Sequence, residues 1–163
     1  MEAKKLEPRF ETRPGFKFAG MMYSGYAEQG EIPQLWDKFV PIMDEIPNRV
    51  NPNVCYGVIN PFGPKEDREM DYVAAVEVDG FENLPEGMAS GEIPEGYYAV
   101  FTHKGPISRF METIQYVYGD WVKNSGYKLN GTPNFELYDE NFKGDEEDSE
   151  CYIYVPMEER KTI

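Results

Sequence analysis

An α+β fold is expected: two βαββ units in tandem, related by a pseudo-two-fold axis. They would form an antiparallel sheet with two main helices on one face and a ligand cleft between them. Three observations in the 163 residues predict it. The order strand, helix, strand, strand occurs twice. Each helical stretch carries one apolar stripe, which must be buried against a sheet. Short turn-rich connections join neighbouring strands, which favours antiparallel pairing. Residue identity between the halves is weak, so the duplication rests on element order. The expected limits are 14–80 for the first unit, 81–95 for a linker and 96–158 for the second, within one domain over 1–163.

The elements follow in order. Residues 16–26 alternate loosely and read as a strand, with Gly20 and Gly25 as candidate bulges. Over 31–46, Ile32, Leu35, Trp36, Phe39, Met43 and Ile46 recur at three and four, the spacing of one helix face. Pro33 suits the first turn, whereas Pro41 should kink or interrupt the helix. Residues 54–60 and 70–78 read as strands around a turn at Pro61-Phe62-Gly63-Pro64. The linker is rich in Gly, Pro and Glu, with extended structure expected near 88–93.

In the second unit, 97–103 is an aromatic and β-branched strand. Ile107, Phe110, Met111, Ile114, Val117, Tyr118 and Trp121 mark the clearest helix, with Pro106 at its start and Gly126 beyond its end. Residues 135–142 and 151–155 complete the set. The acidic run Asp145-Glu146-Glu147-Asp148-Ser149-Glu150 reads as a solvated hairpin loop between them.

Composition narrows the function. The net charge of −14 argues against nucleic acid as a direct partner, because phosphate binding needs clustered Lys and Arg. It also disfavours anionic membrane surfaces and concentrates cations near the protein. No stretch approaches the ~20 apolar residues of a membrane span. Met1-Glu2-Ala3-Lys4-Lys5 does not open a secretory signal, and Cys55 and Cys151 lack metal-ligand spacing. A cytoplasmic protein with two reduced thiols is expected. Phosphate-binding and dinucleotide fingerprints are missing, so no cofactor is expected.

One carboxylate stands out. In Asn134-Phe135-Glu136-Leu137-Tyr138, alternation puts Phe135 and Leu137 on one face and Glu136 and Tyr138 on the other. On a concave aromatic face, Glu136 would be an anion in apolar surroundings, costly unless a cation or hydrogen-bond donors meet it. With 12 Tyr and 10 Phe, the chain can supply flat walls. Tyr138, Trp121, Tyr154, Tyr56, Tyr23 and Phe39 are the candidate lining, with Tyr152 and Trp36 beside them. The same residues also suit an ordinary core. Glu77 is a candidate second carboxylate, alongside a solvent-facing reading. His103, the single histidine, reads as structural, since no nucleophile motif accompanies it.

Tyr98-Ala99-Val100-Phe101-Thr102-His103-Lys104-Gly105-Pro106, the helix reaching Trp121, Ser125-Gly126-Tyr127, Phe135-Glu136-Leu137-Tyr138 and Ile153-Tyr154-Val155-Pro156 together resemble the GyrI-like effector-binding domain. This domain is also the ligand-sensing half of some AraC-type and MerR-type multidrug regulators. The first half matches more loosely, through Tyr56-Gly57-Val58 and Val76-Glu77-Val78. The resemblance spans nearly the whole chain and implies a free-standing member with no attached DNA-binding module. It implies a tandem βαββ fold with a central cleft, ligands that are bulky, planar and often cationic, and Glu136 at the cleft floor. Some free-standing relatives hydrolyse strained cyclopropanoid compounds with an acidic residue in that pocket, and one namesake inhibits DNA gyrase. The preferred expectation is therefore a receptor that sequesters bulky hydrophobic cations through Glu136. The alternative is a cyclopropanoid hydrolase using Glu136 as its catalytic acid or base. A gyrase inhibitor ranks third.

Overall fold

The computed structural model describes residues 6–63, 65–66, 69–128 and 132–158. Pro64 of the expected turn and the ten terminal residues of the expected domain lie outside them. The described residues form strands β1 (Arg9–Arg13), β2 (Phe16–Gly25), β3 (Cys55–Ile59), β4 (Met70–Val78), β5 (Ala89–Ile93), β6 (Gly96–Lys104), β7 (Asn134–Tyr138) and β8 (Glu150–Met157). They pair into one curled antiparallel sheet in the order β1-β6-β8-β7-β3-β4-β2-β5. Exchanging the two units leaves this order unchanged, so the pseudo-two-fold axis passes between β7 and β3.

Each unit's leading strand crosses to the other unit. β1 precedes β2 in sequence but pairs with β6, while β5 precedes β6 and pairs with β2. Of the two, β5 was foreseen as extended structure in the linker. β1 was not foreseen: Arg9-Phe10-Glu11-Thr12-Arg13 alternates, but it is short and mostly charged.

The first helix, α1 (Glu31–Phe39), has acidic Glu31 in its first turn, where the helix dipole favours it. It stops two residues before Pro41, and a 3₁₀ turn (Met43–Glu45) follows. The interruption expected at Pro41 thus ends the α-helix outright. The second helical body runs from a 3₁₀ turn (Ile107–Arg109) into α2 (Phe110–Gln115), a π-helical segment (Tyr116–Trp121) and α3 (Val122–Asn124). Gly126 follows in the left-handed region, φ 79°, as its C-terminal position required.

Both helices lie on one face of the sheet. Leu35 and Phe39 of α1 bury against Ala19, Tyr72, Ala74 and Val76. Val117, with Phe110, Ile114 and Trp121, packs against Ala99, Phe101, Ile153 and Val155. The opposite face holds a second core of Phe16, Phe18, Tyr56, Val73, Tyr98, Phe135 and Tyr154. The sheet is buried on both sides.

Two details differ from expectation. Gly20 and Gly25 are not bulges, because the β2–β4 register runs unbroken from Lys17↔Val78 to Gly25↔Met70. Gly20 instead permits close strand approach: a Cβ there would sit 1.8 Å from the Ala74 carbonyl oxygen. The strand expected over 135–142 ends at Tyr138, and the acidic loop after it is largely exposed. Among the described residues, no helix is long and apolar enough to cross a membrane.

Candidate functional site

Glu136 occupies the middle of β7, one of the two central strands. Its side chain points to the helix-bearing face, and the residue is only 7% exposed. Directly across the ladder lies Gly57 of β3. The missing side chain there makes room for the Tyr72 hydroxyl, which arrives from β4 and donates to Glu136 Oε1 at 2.7 Å. Tyr138, two residues along β7 and therefore on the same face, donates to the same oxygen at 2.7 Å. From α1, the Trp36 indole Nε1–H donates to the Tyr72 hydroxyl at 3.0 Å, and the Trp36 ring meets Tyr138 edge-on with centroids 5.6 Å apart. From the π-helical segment, Tyr118 accepts a hydrogen bond from Asn134 Nδ2 at 2.7 Å, and Asn134 shares the Glu136 face. π-Helical turns recur at functional sites because the wider turn re-aims side chains, and this one carries Tyr118.

The arrangement places one carboxyl under an aromatic canopy contributed by both helices. Among the described residues, no lysine or arginine forms an ion pair with Glu136. Hydrogen bonds to a charged acceptor contribute about 1.5–3 kcal/mol each. Burying an ion carries an effective penalty of several kcal/mol. Burial prevails: it pushes the Glu136 carboxyl above the ordinary carboxylate range, with Tyr138 and Tyr72 pulling it partly back. The Tyr72 and Tyr138 phenols are themselves raised, first by burial and then by the adjacent carboxylate, so they remain donors. Among the described residues, no cluster of three His, Cys, Asp or Glu is placed to hold a metal ion.

The other sequence candidates divide by face. Tyr23 pairs with Tyr72 across β2–β4, and its hydroxyl donates to Glu31 Oε2 at 2.9 Å, tying the start of α1 to the sheet at the edge of the site. Phe39 is fully buried beneath α1, edge-on to Trp36. Trp121 stacks with Tyr127 and meets Phe101 and Phe10 over β6 and β1. β6 lies two strands from β7, roughly 10 Å at the usual strand spacing. Tyr56, Tyr154 and Glu77 lie on the face opposite Glu136. Tyr154 stacks on Phe135 at 4.6 Å, and the Tyr56 hydroxyl reaches Glu77 Oε1 at 3.3 Å. Glu77 and Glu136 therefore cannot divide acid and base work on one ligand, because the sheet separates them. His103 is buried, with Nδ1 2.7 Å from Thr113 Oγ1 and Nε2 2.9 Å from the Pro106 carbonyl oxygen, so it fastens β6 to the second helix.

Sequence reasoning omitted Tyr72, Gly57 and Tyr118 from the lining. Tyr72 alternates with Ala74 and Val76 on the α1-facing side of β4, a signal of the correct face. Nothing local ties that face to Glu136; only the β4–β3–β7 ladder does.

The profile of a family described as "Integron-associated effector binding protein" (Cass2) matches residues 9–157. The chain is 34% identical over 155 residues to the transcriptional regulator BrlR of Pseudomonas aeruginosa, a match covering 94% of this chain and 56% of BrlR. The chain thus spans about half the length of that curated relative. Among solved structures, SAV2435 bound to tetraphenylphosphonium superimposes with a TM-score of 0.77 at 18% identity, covering 93% of this chain and 94% of that one. The EcmrR C-terminal domain gives a TM-score of 0.70 at 20% identity, covering 95% and 99%. Both likenesses concern the fold.

Proposed function

Since the chain belongs to the integron-associated effector-binding family and is a GyrI-like domain, we propose that it binds bulky, planar, hydrophobic and often cationic small molecules above Glu136. The observation that carries this reading is a buried carboxyl held by two phenols, with no cationic partner among the described residues. A lipophilic cation supplies the missing countercharge, and it carries less hydration than a small ion, so less is lost on entering. Trp36 and Tyr138 are half-buried beside Glu136, and their rings offer faces for stacking and cation–π contact. One charge and several flat walls recognise a class of shapes, so selectivity is broad. The fold likeness to SAV2435 supports tetraphenylphosphonium as the probe.

The test is titration of tetraphenylphosphonium into wild type and Glu136→Gln, with neutral triphenylphosphine oxide as control. Removing one partner of a buried charge pair costs 2 kcal/mol or more, so affinity for the cation should fall roughly 30-fold or more. The neutral compound should bind both proteins alike. Equal cation affinity for the two proteins would refute the charge-based reading.

A second reading uses the same carboxyl in hydrolysis. Its raised pKa and two phenol neighbours suit proton donation to an opening cyclopropane ring as water adds. Mass spectrometry of a cyclopropane-bearing alkylator after long incubation decides this: a hydrated product formed by wild type and lost in Glu136→Gln supports it, and unchanged compound removes it.

A further inference from the structure

The face opposite Glu136 holds a second aromatic enclosure, and a cation already occupies it. Arg13, the last residue of β1, places its guanidinium carbon 5.4 Å from the ring centroid of Phe16, 5.6 Å from Tyr56, 5.5 Å from Phe135 and 5.2 Å from Tyr154. Its Nη2 donates to the Tyr56 hydroxyl at 2.8 Å. Two stacked pairs form the walls, Phe16 with Tyr56 and Phe135 with Tyr154, each with centroids 4.6 Å apart. Several ring faces converging on one point form an aromatic cage, an arrangement that favours cations.

Two observations set this cage apart from ordinary packing. The first is the pseudo-two-fold. Arg13 pairs with Gly96 at the start of β6, just as Ile93 pairs with Phe16 at the start of β2, and each is followed by a proline. Arg13 and Ile93 are therefore equivalent positions, and Ile93 is fully buried. An apolar side chain thus fills the equivalent position in the other unit, whereas Arg13 brings a charge among the rings. The second is access. An open pocket of about 500 Å³ lies beside the cage and shares Phe16 with it; Glu77, which the Tyr56 hydroxyl reaches, lines it together with Asp79 and Glu92 against Lys17. Its excess of carboxylates draws cations towards the cage.

We propose that this cage is a second cation site, selective for alkylguanidinium groups such as an arginine side chain, and that Arg13 is its tethered occupant. An incoming guanidinium takes the place of the Arg13 head group against Tyr56 and the four ring faces. The planar fork of a guanidinium stacks on rings and hydrogen-bonds at its edge together, which an ammonium cannot do. The site is independent of Glu136, because the sheet lies between them.

The probe is ethylguanidinium, followed through tyrosine ring shifts by NMR at constant ionic strength, on wild type, Arg13→Ala and Glu136→Gln. Arg13→Ala should bind it saturably and at least about tenfold more tightly than wild type, which must first displace its own side chain. Glu136→Gln should match wild type. Equal affinities for Arg13→Ala and wild type, or no saturable shift in Arg13→Ala, overturn the proposal. A measurement on the unmodified chain guards against an Arg13→Ala protein that does not fold. Amide hydrogen exchange over 9–13 in wild type should accelerate saturably with ethylguanidinium and not with matched sodium chloride. Unchanged exchange overturns the proposal.

Discussion

Gly57 faces Glu136 directly across the β3–β7 ladder, and the space a methyl group would fill at Gly57 is taken by the Tyr72 hydroxyl. A Cβ at Gly57 would lie 2.0 Å from Tyr72 Oη and 2.7 Å from Glu136 Oε1. The glycine is therefore a requirement of the site as well as of the strand. Gly57→Ala should expel the Tyr72 hydroxyl, destabilise the fold by about 1–3 kcal/mol and weaken cation binding. Urea denaturation and tetraphenylphosphonium titration check both effects. Unchanged stability and affinity would mean that the Tyr72–Glu136 contact is not maintained in solution.

Tyr72→Phe removes one donor from Glu136 and also leaves the Trp36 indole N–H without its acceptor. A buried group left without its partner costs about 1–3 kcal/mol. Tyr138→Phe also removes one donor from Glu136 but does not deprive the Trp36 indole N–H of its acceptor, and should cost less. Denaturation midpoints of the two variants, compared with wild type, check this order.

Burial raises the Glu136 carboxyl above its ordinary range, so the folded chain binds that proton more tightly than the unfolded chain does. The resulting stabilisation is complete below the unfolded value of about 4.3 and is lost as pH rises through the raised folded value. Wild type should therefore lose stability relative to Glu136→Gln across that window. Cation affinity should rise over the same window, because the ligand requires the ionised form. Thermal midpoints and titrations at stepped pH check both trends, and parallel profiles for the two proteins would contradict the raised pKa.

The chain has two tryptophans, Trp36 bonded to the Tyr72 hydroxyl beside Glu136 and Trp121 two strands away over β6. Bound cation should quench Trp36 emission selectively. Trp121→Phe should retain the ligand-dependent change, and Trp36→Phe should lose it. The reverse pattern would place the ligand over the β1–β6 edge.

His103 links two elements through both ring nitrogens. His103→Ala should leave Thr113 Oγ1 and the Pro106 carbonyl oxygen without this partner and lower stability by about 1–3 kcal/mol. Ligand affinity at a temperature where the variant is folded should not change. Equilibrium unfolding and titration separate the two effects.

Much of the fold was legible because periodicity is local. The spacing of Leu35, Trp36 and Phe39, and of Phe110, Ile114, Val117 and Trp121, depends only on the helix turn, and both stripes meet the sheet. β1 escaped notice because its five residues, three of them charged, resemble an exposed segment. Their place is secured by β6, where Tyr98, the partner of Glu11 at the centre of β1, lies eighty-seven positions further along the chain.

The pairing of Glu136 with Tyr138 on one face was determined by the sequence alone, because alternation within a single strand needs no partner. Which residues of other strands share that face was decided only by the tertiary structure. Side-chain direction has a period of two, so a one-residue change in the β3–β7 or β7–β8 register transfers every neighbour to the other side. With Gly57 opposite Glu136, Tyr56 necessarily points away, and Tyr154 follows Phe135 to the same far face. Register arises from long-range pairing and packing, and no short stretch of chain encodes it by itself.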